Sequence, residues 1–348
     1  MESNKLLKDL FLTVRNDYAG WEAKQARHNP SPFVTMLGQA YYDRRMSSLL
    51  VLQAVSQYCA GMRDRNLKFE LNAEGYVPFS RGFSVRRCAA GMFVDAVTQE
   101  ARLRPGDEVL AINRTAPERI VKNLPNPLLA ADEPEREQWN GDGTEEMLEL
   151  ARYPVDTDAA PALRKLPGGA LLLDPGSMND AEALEAFVEA HRAVLDGCSR
   201  LVLDLRAAAG DDEEALLPLL PYIVKADCTA AEAFGDRRIR TNYTKMNCTR
   251  LIRMLTPYLV DDDPALRQMA QQLAAYYRDQ SGKGWVDEVE ELPVPAETPI
   301  QRRGPEKVAV LTDTWCEQEA ERFVQLAKQQ GRAVLLGRPT MGTLDYTR

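Results

Sequence analysis

Histidine is scarce in this chain: His28 and His191 are its only two among 348 residues. That leaves little imidazole for general-base or metal chemistry. The six cysteines, Cys59, Cys88, Cys198, Cys228, Cys248 and Cys316, form no Cys-x-x-Cys pair and are too sparse for a disulfide framework. No zinc centre is expected. A reducing, cytoplasmic setting is, and there the Asn-x-Thr matches at Asn113 and Asn247 would carry no glycan. The chain also lacks a glycine-rich phosphate loop and a dinucleotide fingerprint. No apolar run approaches the ~20 residues that span a bilayer. The N-terminus, MESNKLLKDLFLTVRNDYAG, is amphipathic and has no signal-peptide core. Basic excess is missing too: the net charge is -9, which opposes a phosphate-binding surface. These absences predict no metal, no cofactor, no nucleic acid and no membrane, and they leave peptides, cationic ones included, as partners.

The chain is rich in packable sequence. Apolar residues make up 45% and charged residues 27%, enough for soluble cores, and the length suits two or three domains. Residues 1–67 read as a helical N-terminal subdomain. Leu6, Leu7, Leu10 and Val14 form one stripe, and Met46, Leu49, Leu50 and Ala54 another, with a break at Pro30-Ser31-Pro32. Residues 68–153 turn to short strands. Arg81–Arg87 and Gly91–Val97 alternate, and Pro105-Gly106-Asp107 turns into a strand over Glu108–Asn113. Ala151–Gly169 has the Pro, Gly and Ala content of a linker. Beyond it, strands at Ala170–Asp174 and Leu201–Leu205 alternate with helices at Asp180–Leu195 and Glu213–Val224. A mainly helical insertion covers about Arg250 to Gln280. The alternation predicts a layered α/β core, within an α/β (α+β multidomain) chain.

Val308–Tyr346 carries the densest signal. Strand Val308–Thr312, helix Glu319–Gln330 and strand Ala333–Gly337 follow one another. Ala320, Phe323, Val324 and Ala327 have the spacing of one buried helical face. Glu319 and Glu321 in the first turn and Lys328 in the last suit the helix dipole, and Gly331 is a stop. Gln318 meets the unpaired N–H groups of the helix start, a place that favours an anionic nucleophile or oxyanion; glutamine can only hydrogen-bond there. Cys316 lies where those groups would lower a thiol pKa, but it also fits a buried cysteine behind the turn, and the Glu317-Gln318-Glu319 run repels a thiolate. His191 continues the stripe Leu184, Phe187, Val188 as a core-edge residue, and His28, beside a proline-rich turn, is expected to be solvated. Ser177 reads as a turn or cap, and Asp211-Asp212-Glu213-Glu214 as a solvated helix start.

On these residues the segment resembles the active-site segment of the tail-specific (C-terminal-processing) serine peptidases, in their bacterial IRBP-like, tricorn-core branch. In that family a strand ends in a turn bearing the nucleophilic serine, and the strand after the helix reads roughly GRAVVVGExTxG. Counting from Gly331-Arg332 and Gly337 places Gln318 at the serine position and Thr343 where many members carry a lysine base. Leu201–Ile223 is similar to the family's LxxDxRxNxGG segment, which helps supply oxyanion N–H groups. Asp204 and Arg206 match; Ala207, Ala208 and Ala209 replace the asparagine and first glycines, and Gly210 remains. Alanine at positions needing positive φ predicts a reshaped loop. Arg102–Pro117 resembles the PDZ signature, with Ser80-Arg81-Gly82-Phe83 and Ser84-Val85 as its carboxylate loop and peptide-pairing strand. Tyr243-Thr244, Asn247 and Gly282-Lys283-Gly284-Trp285 resemble further family segments.

The resemblance implies a helical start, a PDZ-like module at 68–153 and a core of the ClpP/crotonase-like type at 154–348. It implies a peptidase scaffold that has lost its chemistry. Such a scaffold would bind a peptide or protein C-terminus through Gly82, Phe83, Ser84 and Val85, or pair as a homo- or hetero-oligomer with an intact homologue. Two alternatives stay open: an active peptidase that uses Cys316 with His191 or residues supplied by a partner, and a PDZ-type scaffold protein. Family members continue past Tyr346 with further strands, so a core short of strands is expected, with a sheet edge that a partner could cover.

Overall fold

A computed structural model describes residues 2–64, 66–67, 79–88, 91–112, 115–119, 153–154, 159–235 and 237–344. Expectations for residues 68–78, 113–114 and 120–152 of the strand-rich region, for 151–152 and 155–158 of the linker, and for everything from 345 onward lie outside the described residues. The chain divides into two compact units, Met1–Val55 with Asp236–Glu291, and Ser56–Gly235 with Leu292–Asp345. The first helices therefore group with the later insertion, and the unit boundary falls inside the Ser48–Gly61 helix.

In the first unit, helix Glu2–Asp17 buries Val14. Strands Arg238–Tyr243 and Gly284–Val289 pair antiparallel, and helices Lys245–Met254 and Pro264–Gln280 lie between them in sequence. Polar side chains tie these parts together. Thr244 donates to Asp17 at 2.7 Å, and the Asn247 amide donates to the Asp17 carbonyl at 2.9 Å. The family-like residues Thr244 and Asn247 thus have a structural use. His28 is half-buried rather than solvated: it packs edge-on against Trp21 at 5.0 Å, and burial, then Arg15, lower its pKa.

The second unit holds a five-stranded sheet in the order Val334–Gly337, Lys307–Thr312, Arg200–Asp204, Leu171–Asp174, Ala162–Lys165. The first four strands are parallel and the last is antiparallel. Leu171, Leu173, Leu201, Leu203, Val308 and Val310, alternate residues that share one face, are buried in the main core, while Val202, Ala309 and Leu311 on the other face are half-buried. Helix Glu319–Gln330 forms as its spacing predicts, burying Ala320, Phe323, Leu326 and Ala327, with Val324 packed beside them. Gly331 ends it at φ 64°, its N–H returning to the Ala327 carbonyl.

Three expectations fail here for local reasons. Ala162–Lys165 is a strand, because Leu163 packs on the core although its flanks read as linker. Glu213–Val224 is two short 3₁₀ turns, Glu213–Leu216 and Leu220–Tyr222; Pro218 and Pro221 cannot donate the N–H that an α-helix needs. The helix expected over Asp180–Leu195 is broken at His191 into Ala181–Ala190 and Arg192–Gly197; Asp180 caps it, and Ser177 lies in the turn before it.

The strands Phe83–Cys88 and Gly91–Val97 pair antiparallel over a small core of Phe83, Val85, Met92, Val94 and Ile112. The turn at Pro105-Gly106-Asp107 forms, with Gly106 at φ 96°. The strand expected over Glu108–Asn113 does not form among its described residues. Only the bridges Phe93↔Glu108 and Ile112↔Thr115 occur, although Val109 N–H reaches the Met92 carbonyl at 2.7 Å.

Candidate functional site

The four parallel strands present charge at their shared carboxyl end. Asp174 and Asp204 are the last residues of their strands, Asp313 follows Lys307–Thr312, and Arg338 follows Val334–Gly337. All four line a cavity of about 680 Å³. The carboxyl edge of a parallel sheet is where α/β folds hold ligands, since the loops leaving the strands diverge there. Strands Phe83–Cys88 and Gly91–Val97 form another wall: Phe83, Ser84 and Arg86 of one, and Asp95 and Ala96 of the other, also line the cavity. Arg86 bridges the walls, donating to Asp95 at 2.6 Å and to Asp313 at 2.9 Å. Burial raises the Asp95 pKa, with Arg86 opposing it. Arg338 donates to the same Asp313 oxygen at 2.8 Å. Asp204 receives Arg206 through two bonds of 2.8 Å. Burial pushes the Asp204 pKa up, but those bonds and the Arg206 charge together hold it below its usual value.

Gln318 stands at the turn between a two-residue strand, Glu317–Gln318, and helix Glu319–Gln330. Its backbone is at φ 53°, ψ −122°, where a residue with a Cβ is strained, and its exposed side chain makes no cap bond. A strained strand-to-helix elbow is how several hydrolase folds lift a nucleophile clear of the backbone. Here the elbow carries an amide. Its N–H donates to Thr343 Oγ1 at 2.7 Å, so the structure brings these two residues together. Thr343 is buried, and its hydroxyl and N–H donate to Glu321, whose other oxygen accepts the Gly342 N–H at 2.6 Å. Glu321 was legible only as a first-turn acid. Its neighbour Ala320 on the buried face was the one hint that it points inward.

Gly210 and Ala209 lie alongside the elbow. Ala209–Gly210 pairs in parallel with Glu317–Gln318, engaging the loop backbone in a ladder. A Cβ at position 210 would meet the Ser177 and Met178 carbonyls within 2.4 Å, so glycine is required there by close approach. None of Ala207, Ala208 and Ala209 has a positive φ, so the strain expected of these alanines is absent. The loop tolerates them.

Cys316 and His191 make no hydrogen bond to each other among the described residues. Cys316 is fully buried in the main core; burial first, then Glu321, Glu317 and Asp313, raises its thiol pKa well above the usual 9.0. His191 ends the Ala181–Ala190 helix, its Nδ1 bonded to the Phe187 carbonyl at 2.8 Å and its ring stacked on Phe187. Before strand Phe83–Cys88, Gly82 at φ 78° turns its carbonyl toward the N–H groups of Thr98, Gln99 and Glu100, at 2.8 to 3.1 Å. Phe83 and Val85 serve the small core of these strands, and Phe83 also lines the cavity beside Ser84 and Arg86. Asp313, Arg338, Trp315 and Asp174 were not legible as site residues, because only the sheet gathers its strand ends. Among the described residues no cluster of His, Cys, Asp and Glu could hold a metal ion.

A family model described as peptidase family S41 matches residues 172–347. No curated protein sequence matches the chain. Among solved structures, mature CPAF is similar at 13% identity, with a TM-score of 0.54, over 98% of this chain and 84% of that one. Mature CPAF complexed with lactacystin gives 13% and 0.54, over 98% and 85%. A photosystem II D1 C-terminal processing protease matches at 15% and 0.41, over 98% and 82%. At such identities the likeness to CPAF concerns the fold alone.

Proposed function

Because this chain belongs to peptidase family S41, we propose that it is a catalytically impaired member that binds peptide segments at the carboxyl end of its sheet. The observation that carries this reading is Gln318: the elbow backbone is kept, but its side chain is an amide with no nucleophilic atom. Thr343, at the position where the resemblance expects a lysine, spends its hydroxyl between the Gln318 N–H and Glu321 and has no basic group to offer. The buried, protonated thiol of Cys316 offers no substitute. An active site lacking both nucleophile and base has no route to an acyl-enzyme. A cavity of about 680 Å³ is within the range of ligand pockets, which supports binding without the chemistry. Pairing with an intact homologue would put such binding to use.

The test is purified protein with unstructured peptides and a fluorophosphonate serine probe. No turnover and no labelling are expected. Turnover that disappears in both Gln318→Ala and Thr343→Ala would place hydrolysis in this site and overturn the reading.

A further inference from the structure

The charge balance of the cavity selects its ligand. Each of its four arginines is already matched: Arg86 to Asp95 and Asp313, Arg338 to Asp313, Arg206 to Asp204. Arg164 lies 4.0 Å from Asp204. An incoming anion would have to compete with these carboxylates for guanidinium groups. The carboxylates outnumber the arginines by one, because Asp174 and Glu317 also line the cavity. Among the described residues neither has an ion-pair partner; one Asp174 oxygen accepts the Gly176 N–H at 3.0 Å. Arg206 feels the charge of Asp174 but makes its bonds to Asp204, so a cation entering here breaks no ion pair. Trp315, two residues before Glu317 and in the same lining, adds an aromatic surface of the kind that attracts a cation through its ring quadrupole.

We propose that this cavity recognises a basic side chain, lysine or arginine, carried by the bound peptide, with Glu317 and Asp174 as its charge partners and Trp315 as its aromatic wall. The proposal rests on the peptide-binding reading above and adds the chemistry of the residue selected. The positive charge brings the lining to neutrality, and the aliphatic stem of a lysine or arginine suits the apolar surface of Phe83, Ala96 and Trp315.

Calorimetric titration of the full chain with acetylated, amidated peptides Ala-Ala-X-Ala-Ala tests this, X being lysine, glutamate or uncharged norleucine. Lysine should bind about tenfold more tightly than norleucine, and glutamate more weakly still. The lysine preference should shrink in Glu317→Gln and in Asp174→Asn, whose amide oxygen can still accept the Gly176 N–H, with melting temperatures confirming that both variants fold. Raising the salt should weaken the lysine peptide alone. Equal binding of all three peptides, or a preference for glutamate, would overturn the basic selectivity and leave peptide binding standing. No binding by any of them up to about 1 mM would overturn both.

Discussion

Gln318 holds a backbone conformation that suits glycine, and nothing in its side chain offsets the strain. Strain of this kind is worth roughly 1–3 kcal/mol, against about 0.5–1 kcal/mol of extra unfolded-state freedom for glycine. Gln318→Gly should therefore raise unfolding stability by about 1 kcal/mol in a denaturant titration; a loss would show that the side chain contributes contacts that outweigh the strain. Cys316 gives a pH dependence. Its folded pKa is raised by burial and by the nearby carboxylates, so its contribution is complete below the ordinary thiol value of 9.0. Above that, the unfolded thiol ionises while the folded one stays protonated, and stability falls with rising pH. Stability curves from pH 7 to pH 10 should slope downward above 9.0 in the native chain, and more gently in Cys316→Ala.

At the scale of elements, Arg332, two residues before strand Val334–Gly337, ties loops together. Its guanidinium donates to the carbonyls of Pro221, Val224, Arg303, Gly304 and Pro305, gathering two loops. A lysine ammonium has three donors and no fork, so it cannot replace this set. Arg332→Lys should cost about 3 kcal/mol, because carbonyls in both loops lose their partner. A change under about 0.5 kcal/mol would mean that water satisfies them equally well. The helix Glu319–Gln330 was fully legible, because spacing, end charges and a terminal glycine agree. The strand–helix alternation suggests a helix after Glu213, but Pro218 and Pro221 lack the N–H it needs, and two short 3₁₀ turns form instead.

At the scale of the molecule, family and layered core were legible from short runs of sequence, while the division into units was not. Residues 1–55 join 236–291 across nearly two hundred intervening positions, through contacts such as Thr244 with Asp17 that no local pattern announces. Among the described residues, no helix is long and apolar enough to cross a membrane. The sequence by itself determined that position 318 holds an amide and position 343 a hydroxyl, because side-chain chemistry is written one residue at a time. Only the tertiary structure decided that Gln318 sits on a strained elbow bonded to Thr343, that Cys316 is sealed in the core, and that Asp174, Trp315 and Glu317 share a cavity with four matched arginines. Burial and ion pairing depend on which distant segments the sheet brings side by side, and that is a property of packing.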